Sequence, residues 1–187
     1  AITARVRERC RELFETDLEI FPLATGTGGN SLAIAAMTPP WGAVFCHANA
    51  HVYRDEMGAP EFFTPGAKLV PIAGGHDKLT PDATARTIDD IGGTGRLAIP
   101  ACVSLTQATE CGTVYKGEET RALTDVAHRF GCGVHVDGAR FANAVVATGA
   151  SPADLTWRAG VDVLIFGATK NGAIAAEMMI VFRKDLV

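Results

Sequence analysis

The sequence lacks any long run of basic residues and any long run of apolar ones. Its 187 residues include 17 Lys and Arg against 21 Asp and Glu, which gives a formal net charge of -4. A chain without a basic patch is poorly suited to a nucleic-acid backbone or an anionic membrane surface. No segment approaches the roughly 20 consecutive apolar residues of a membrane-spanning helix. We therefore expect no nucleic acid and no membrane among its partners.

The cysteines lack the spacing of a metal site and that of a disulfide framework. There is no Cys-x-x-Cys pattern, and neither the cysteine nor the histidine spacing supports a metal site, so we predict none. The five cysteines are scattered, odd in number and mostly set in apolar runs. Such thiols are typical of a reducing compartment, and we expect a cytoplasmic protein.

The sequence also lacks an initiator methionine and a secretory signal. Ala1 begins directly in a helical pattern, and Val187 follows an apparent strand. The length and the 48% hydrophobic content suit one packed domain. We expect residues 1–187 to form a single domain, cut from a longer protein at both ends.

Apolar runs alternate with helical segments along the chain, without internal repeats. Strands are predicted over 18–24, 43–47, 68–73, 96–105, 133–136, 161–166 and 177–182. Helices are predicted over 1–15, 30–37 and 117–130, with helix starts at 80–82 and 151–154 and a short helix or loop over 51–57. This alternation predicts an α/β fold, in which a mostly parallel sheet carries helices on both faces.

Two residues that suit a pyridoxal-phosphate site each follow a predicted strand. Asp137 lies in His-Val-Asp-Gly-Ala-Arg, and Lys170 lies in Phe-Gly-Ala-Thr-Lys-Asn-Gly. Ligands of such sheets bind at the carboxyl ends of the strands. There Lys170 could form a Schiff base with the cofactor aldehyde, and Asp137 could keep the pyridine nitrogen protonated. Apolar and small neighbours predict a buried Lys170, which favours its uncharged, nucleophilic form.

Each of these two residues also has a simpler interpretation. A lysine after a strand is most often a solvated surface residue. Asp137 could cap a helix that begins at Gly138, or it could form a structural ion pair with Arg140. From the residues alone these alternatives stay open.

Three further segments could complete the site. Thr25-Gly26-Thr27-Gly28-Gly29-Asn30 lies between a predicted strand and a predicted helix, and could hold a phosphate. It has neither the P-loop pattern nor a dinucleotide fingerprint in register.

His51 follows a strand and could stack on the cofactor ring, or it could be a packed histidine without a catalytic role. Glu110, in the polar segment 106–112, could be a general base or belong to an ordinary turn. The remaining histidines are interpreted as residues without a partner: His47, His76, His128 and His135.

Together these motifs resemble the low-specificity L-threonine aldolases, which belong to the fold-type I, aspartate-aminotransferase-like pyridoxal-phosphate enzymes. The resemblance covers nearly the whole chain and follows the family order. Its most specific part is the His-Val-Asp-Gly-Ala-Arg block with the later Thr169-Lys170. Residues 1–187 would then be the large cofactor-binding domain, without the small C-terminal domain.

The resemblance implies a role for each matching residue and a reaction. The cofactor would be pyridoxal 5'-phosphate, and the chain would form a homodimer or homotetramer. The family cleaves β-hydroxy-α-amino acids, such as threonine or allo-threonine, to glycine and an aldehyde. The implied roles are Schiff-base formation by Lys170 beside Thr169, pairing with the pyridinium by Asp137, ring stacking by His51, phosphate binding by Gly26, Thr27 and Gly28, and a position near the substrate carboxylate for Arg140.

This sequence departs from the family pattern in one catalytic position and in length. Glu110 stands where many members have a histidine, which leaves the base for the β-hydroxyl open between Glu110, water and another histidine. Members also have an N-terminal segment and a C-terminal domain that are not found here. Other reactions of the same fold, such as β-elimination or transamination, and a non-catalytic cofactor-binding domain are the alternatives.

Overall fold

A computed structural model describes all 187 residues and contains one seven-stranded sheet. The strands are β1 (Glu19–Leu23), β2 (Gly42–His47), β3 (Lys68–Ile72), β4 (Ile99–Thr106), β5 (Gly133–Gly138), β6 (Val163–Gly167) and β7 (Glu177–Val181). Their order is β1-β7-β6-β5-β4-β2-β3. All pairs from β3 to β6 are parallel, whereas β7 is antiparallel to both β6 and β1. The predicted mostly parallel sheet is therefore confirmed.

The helices are α1 (Ile2–Phe14), α2 (Gly26–Met37), α3 (His51–Arg54), α4 (Ala59–Phe63), α5 (Pro81–Gly92), α6 (Gly117–Arg129) and α7 (Phe141–Thr148). Short 3-10 turns cover 75–77, 157–159, 169–171 and 184–186. None of the helices combines the length and the apolar character that crossing a membrane requires.

Helices cover both faces of the sheet, as predicted. Along a strand successive side chains point to opposite faces. In β2, Phe45 belongs to the large core shared with α1, α5, α6 and α7, whereas Val44 and Cys46 pack with Ile34 of α2. Every residue of β2 and of β5 is buried. Burial on both faces explains why β2 is a nearly continuous apolar run rather than an alternating one.

Pro100 lies inside β4 because the pairing is irregular there. The register between β2 and β4 shifts between Ala43, opposite Pro100, and Val44, opposite Cys102. A proline cannot donate to the ladder and is tolerated at such an irregularity. The predicted strand over 96–105 is thus confirmed with its proline, although it begins at Ile99.

One predicted helix start was wrong, and one helix was missed. The Ser-Pro-x-Asp segment at 151–154 begins a turn, in which the Asp154 amide donates to Ser151 Oγ at 3.1 Å, and not a helix. Conversely, α7 was not predicted, because its sequence Phe-Ala-Asn-Ala-Val-Val-Ala-Thr has no clear polar face. The predicted cap at Thr80 is confirmed, since its side chain accepts from the Ala83 amide.

Gly138, at the end of β5, allows a close approach between neighbouring strands. A Cβ added there would lie 2.6 Å from the backbone oxygen of Ile165 and 2.6 Å from Leu164 Cδ1. We expect Gly138→Ala to lower the free energy of unfolding by about 1–3 kcal/mol, because the crowded atoms must move. Urea denaturation measures this change. Gly75→Ala is the control, since nothing lies within 4 Å of its added Cβ, and equal losses in the two variants would contradict the prediction.

Candidate active site

A cavity of about 270 Å³ opens at the carboxyl end of β5 and β6. The start of α2, the start of α3, the turn after β6 and the start of β7 complete its wall. The lining residues are Ala24, Thr25, Gly26, Thr27, Asn30, His51, Glu56, Asp137, Ala139, Thr169, Lys170, Ala175 and Glu177.

The structure brings most of the predicted site residues to this cavity and leaves others outside its lining. Those that line it are Gly26, Thr27, His51, Asp137, Thr169 and Lys170. Gly28, Glu110 and Arg140 do not line it. The Gly28 amide instead donates to Thr25 Oγ1 at 3.1 Å and closes the cap of α2.

The glycine segment is the first turn of α2, so the helix begins earlier than the predicted residue 30. The amides of Gly26 and Thr27 have no intrahelical acceptor because they lie in the first turn. Both residues line the cavity. A helix N-terminus with free amides attracts an anionic group such as a phosphate.

Gly29 holds this helix end against the sheet. A Cβ added to Gly29 would lie 3.0 Å from both Ile165 Cγ2 and Leu23 Cδ1. The glycine therefore permits the close helix-to-strand packing that brings the α2 amides next to the strand ends.

Asp137 is buried at the end of β5, where both carboxylate oxygens are fixed by donors. The Ala139 amide donates to Oδ1 at 3.0 Å, and Asn30 Nδ2 donates to Oδ2 at 3.1 Å. The cap interpretation was wrong, because α7 begins at Phe141. The alternative pairing with Arg140 was also wrong: Arg140 Nη1 lies 3.4 Å from Glu110 Oε2.

The expected burial of Lys170 was wrong, since its side chain is exposed at the mouth of the cavity. Residues 169–171 form a 3-10 turn that Gly172 ends with a φ of 97°. Most of the small residues over 171–176 are exposed as well. The small and apolar residues next to Lys170 in sequence therefore do not bury it.

Two cavity carboxylates were missed by the sequence reasoning. Glu177 begins β7, and its Oε2 is buried without a hydrogen-bond partner. Glu56 follows α3, and its side chain is fully excluded from solvent. The only signal for Glu56 was its place five residues after His51 in a polar stretch.

Asn30 links the two buried carboxylates of the cavity wall. Its Nδ2 donates to Glu56 Oε1 at 2.8 Å and to Asp137 Oδ2 at 3.1 Å. Glu56 Oε1 also lies 3.0 Å from His51 Nδ1. Burial raises the pKa of Glu56, the hydrogen bonds from Asn30 and His51 lower it, and the charge of Asp137 raises it again.

His135 belongs to the same network, so its interpretation as a residue without a partner was wrong. Its Nε2 lies 3.1 Å from Asn30 Oδ1, and its Nδ1 lies 2.9 Å from Ser104 Oγ. Burial lowers the pKa of His135 to about 4, which makes it neutral at pH 7. Because the Asn30 nitrogen serves the carboxylates, its oxygen accepts, and the proton of His135 is on Nε2.

Ligand atoms of His51, Glu56 and Asp137 lie within 4.8 Å of one another. This spacing alone could suit a cation. However, Asn30 Nδ2, a donor, bonds to both carboxylates at once. The cluster is therefore held together by hydrogen bonds, and Glu56 Oε2 is its one carboxylate oxygen without a partner.

The sequence matches the beta-eliminating lyase family over residues 1–187. It is 47% identical to the low specificity L-threonine aldolase of Pseudomonas aeruginosa, over 98% of this chain and 53% of that relative. A Pseudomonas sp. protein of the same name is 44% identical with the same coverage. The structure matches the threonine aldolase of Leishmania major with a TM-score of 0.91 and 27% identity, over 98% of this chain and 53% of that one.

These matches confirm both the resemblance inferred from the motifs and the predicted fold class. The chain spans about half the length of the curated relatives it matches. Within that half, the matched region contains the whole sheet and every residue that lines the cavity. The chain belongs to the beta-eliminating lyase family.

Proposed function

We propose that this protein is a pyridoxal-phosphate-dependent lyase that cleaves L-threonine, allo-threonine or a related β-hydroxy-α-amino acid to glycine and an aldehyde. Its relatives named threonine aldolase support this reaction. Since the chain covers about half of each relative, the activity is proposed for the protein at its native length.

The observation that carries the proposal is the set of groups around one cavity. An accessible amine (Lys170), a buried carboxylate (Asp137) and the free amides at the start of α2 (Gly26 and Thr27) all line it. An amine, a carboxylate and an anion site are the three groups that hold the aldehyde, the pyridine nitrogen and the phosphate of this cofactor. The residues present therefore fit the group, in a cavity near the small end of ligand sites of about 300–1,000 Å³.

When bound, the cofactor supplies an electron-withdrawing ring that stabilises negative charge at the substrate α-carbon. Asp137 would keep a proton on the ring nitrogen, and the donors Asn30 and Ala139 fix its carboxylate in place for that task. The exposed amine of Lys170 lines the cavity and would hold the cofactor aldehyde. His51, 31% exposed at the cavity wall, would cover one face of the ring.

Arg140 and Glu110 form an ion pair, which in our proposal separates when the substrate binds. In our proposal Arg140 binds the substrate carboxylate, which then competes with Glu110 for the guanidinium. Glu110, released from Arg140, is our proposed acceptor for the β-hydroxyl proton. The pair lies outside the cavity lining, separated by 3.4 Å, so both side chains must turn toward the substrate.

We further propose a cytoplasmic homodimer or homotetramer. Several large apolar side chains near α3 and α4 are exposed, and a second copy would cover them: Met57, Phe62 and Phe63. All five cysteines are free thiols, which suits a reducing compartment.

Borohydride reduction of the purified protein with added pyridoxal phosphate tests the proposal. We expect a visible absorbance band that reduction abolishes and a stable adduct that mass spectrometry locates on Lys170. With threonine as substrate, we expect glycine and acetaldehyde in equal amounts. Ammonia with a keto acid would identify an eliminating lyase instead. No adduct on Lys170 at native length would overturn the cofactor proposal.

A further inference from the structure

Glu56 is held in the wall of the cavity by an unusual turn of the backbone. The next two residues, Met57 and Gly58, both have positive φ values, of 53° and 77°. A methionine rarely adopts this left-handed conformation, and it persists only where the surrounding structure requires it. The turn ends the segment that contains α3 and directs Glu56 inward, so that none of its side chain is exposed.

The contacts of Glu56 determine which atom of His51 carries a proton. Glu56 Oε1 already accepts from Asn30 Nδ2 at 2.8 Å, and it lies 3.0 Å from His51 Nδ1. A carboxylate oxygen in this place accepts a hydrogen bond, so the proton of a neutral His51 is on Nδ1. His51 Nε2 makes no hydrogen bond within the protein, and remains available on a residue that lines the cavity.

The same oxygen connects His51 to Asp137. Asn30 Nδ2 uses its two hydrogens on Glu56 and Asp137, and the neutral His135 holds the Asn30 oxygen at 3.1 Å. The ring that would cover the cofactor and the carboxylate that would hold its pyridine nitrogen are therefore anchored to one buried network. Glu56 Oε2 has no partner, so Oε1 alone makes these connections.

We propose that Glu56 is a positioning residue, which fixes the ring orientation and the tautomer of His51 against the bound cofactor. This inference rests on the proposed function, because it assigns His51 a place over the cofactor ring. A carboxylate behind a functional histidine fixes its tautomer and orientation in many sites. Loss of such a partner typically lowers activity by about 10- to 100-fold.

A double-mutant cycle on the holoenzyme at native length tests the proposal. We expect Glu56→Ala to lower kcat about 10- to 100-fold, with a smaller change in KM, and to change the visible circular dichroism of the bound cofactor. His51→Phe keeps a flat ring but removes Nδ1. In that background, the same Glu56→Ala substitution should lower kcat much less, because the ring it positions is gone and only its hydrogen bond from Asn30 remains to be lost.

A conservative substitution of Glu56 and a matched control variant complete the double-mutant cycle. Glu56→Gln keeps the volume and one acceptor oxygen, so it serves if Glu56→Ala does not fold; its loss of kcat should also be smaller in the His51→Phe background. Glu61→Ala is the matched control, since Glu61 also has a buried Oε2 without a partner but does not line the cavity. Its kcat and circular dichroism should equal those of the unchanged protein.

The outcomes separate this proposal from the function on which it rests. Equal losses from the Glu56 substitution with and without His51 would overturn the positioning role, as would a Glu56→Ala variant with unchanged kcat and spectrum. The unchanged protein reports on the proposed function by itself: if borohydride leaves no adduct on Lys170, the cofactor assignment fails whatever the cycle shows.

Discussion

Lys170→Ala is expected to reduce turnover of threonine by at least about a thousandfold, because it removes the amine that forms the covalent link to the cofactor. The exposed position of Lys170 makes this variant informative. Truncation of an exposed side chain changes the free energy of unfolding by no more than about 0.5 kcal/mol. A loss of activity would therefore report on chemistry and not on folding. Initial rates of glycine formation and a thermal melt measure the two effects separately.

Lys68→Ala provides the matched control for this prediction. Lys68 is also exposed and lies in β3, at the far edge of the sheet from β7. It should retain full turnover and full borohydride labelling. If Lys170→Ala still gives a reducible adduct in the same yield, or turns over within tenfold of the unchanged protein, another residue holds the cofactor and the assignment of Lys170 is wrong.

The sheet could be predicted from sequence because burial on both faces leaves a simple pattern. Continuous apolar runs such as those of β2 and β6 have few interpretations in a chain of this length. The position of Asp137 followed from the same pattern, since a polar residue at the end of a buried parallel strand lies where ligands bind. The positions of the strands along the chain were therefore predictable, although several observed strand boundaries differ from the predicted ones by one to three residues.

The exposure of Lys170 was not predictable from its neighbours. Small and apolar residues surround it in sequence, and this was taken as a sign of a buried segment. Burial depends on what packs against a segment from elsewhere in the chain. Residues 169–172 are all exposed, and Ile174 is fully exposed beside them.

Glu56 was missed for a related reason. Its importance depends on its hydrogen bond with Asn30, 26 positions away along the chain, and on the link through Asn30 to Asp137, 81 positions away, and no local pattern indicates either. The start of α2 was placed too late because glycines were taken to favour a loop. Thr25, a good cap residue directly before them, was the local signal for an earlier helix start.

Asp137→Asn is expected to lower kcat by about 10- to 100-fold at pH 7, because a neutral amide no longer forms a charge-assisted bond of about 1.5–3 kcal/mol with a protonated pyridine nitrogen. The substitution preserves the volume but not the hydrogen bonding. Ala139 and Asn30 both donate to this side chain, whereas an asparagine offers one acceptor oxygen. One of the two donors must therefore lose its bond. We expect the absorbance of the bound cofactor to change along with kcat.

Asp162→Asn distinguishes loss of the pyridine partner from loss of any buried carboxylate in the sheet. Asp162 is also buried, and its Oδ2 accepts from the Val134 amide at 2.7 Å and lies 3.3 Å from His128 Nε2. It does not line the cavity. We expect Asp162→Asn to lower the melting temperature and leave the cofactor spectrum and kcat unchanged, whereas Asp137→Asn should change both the spectrum and kcat. If both variants lose only stability, Asp137 has a structural role, and the electronic role that the proposed reaction requires belongs to another group.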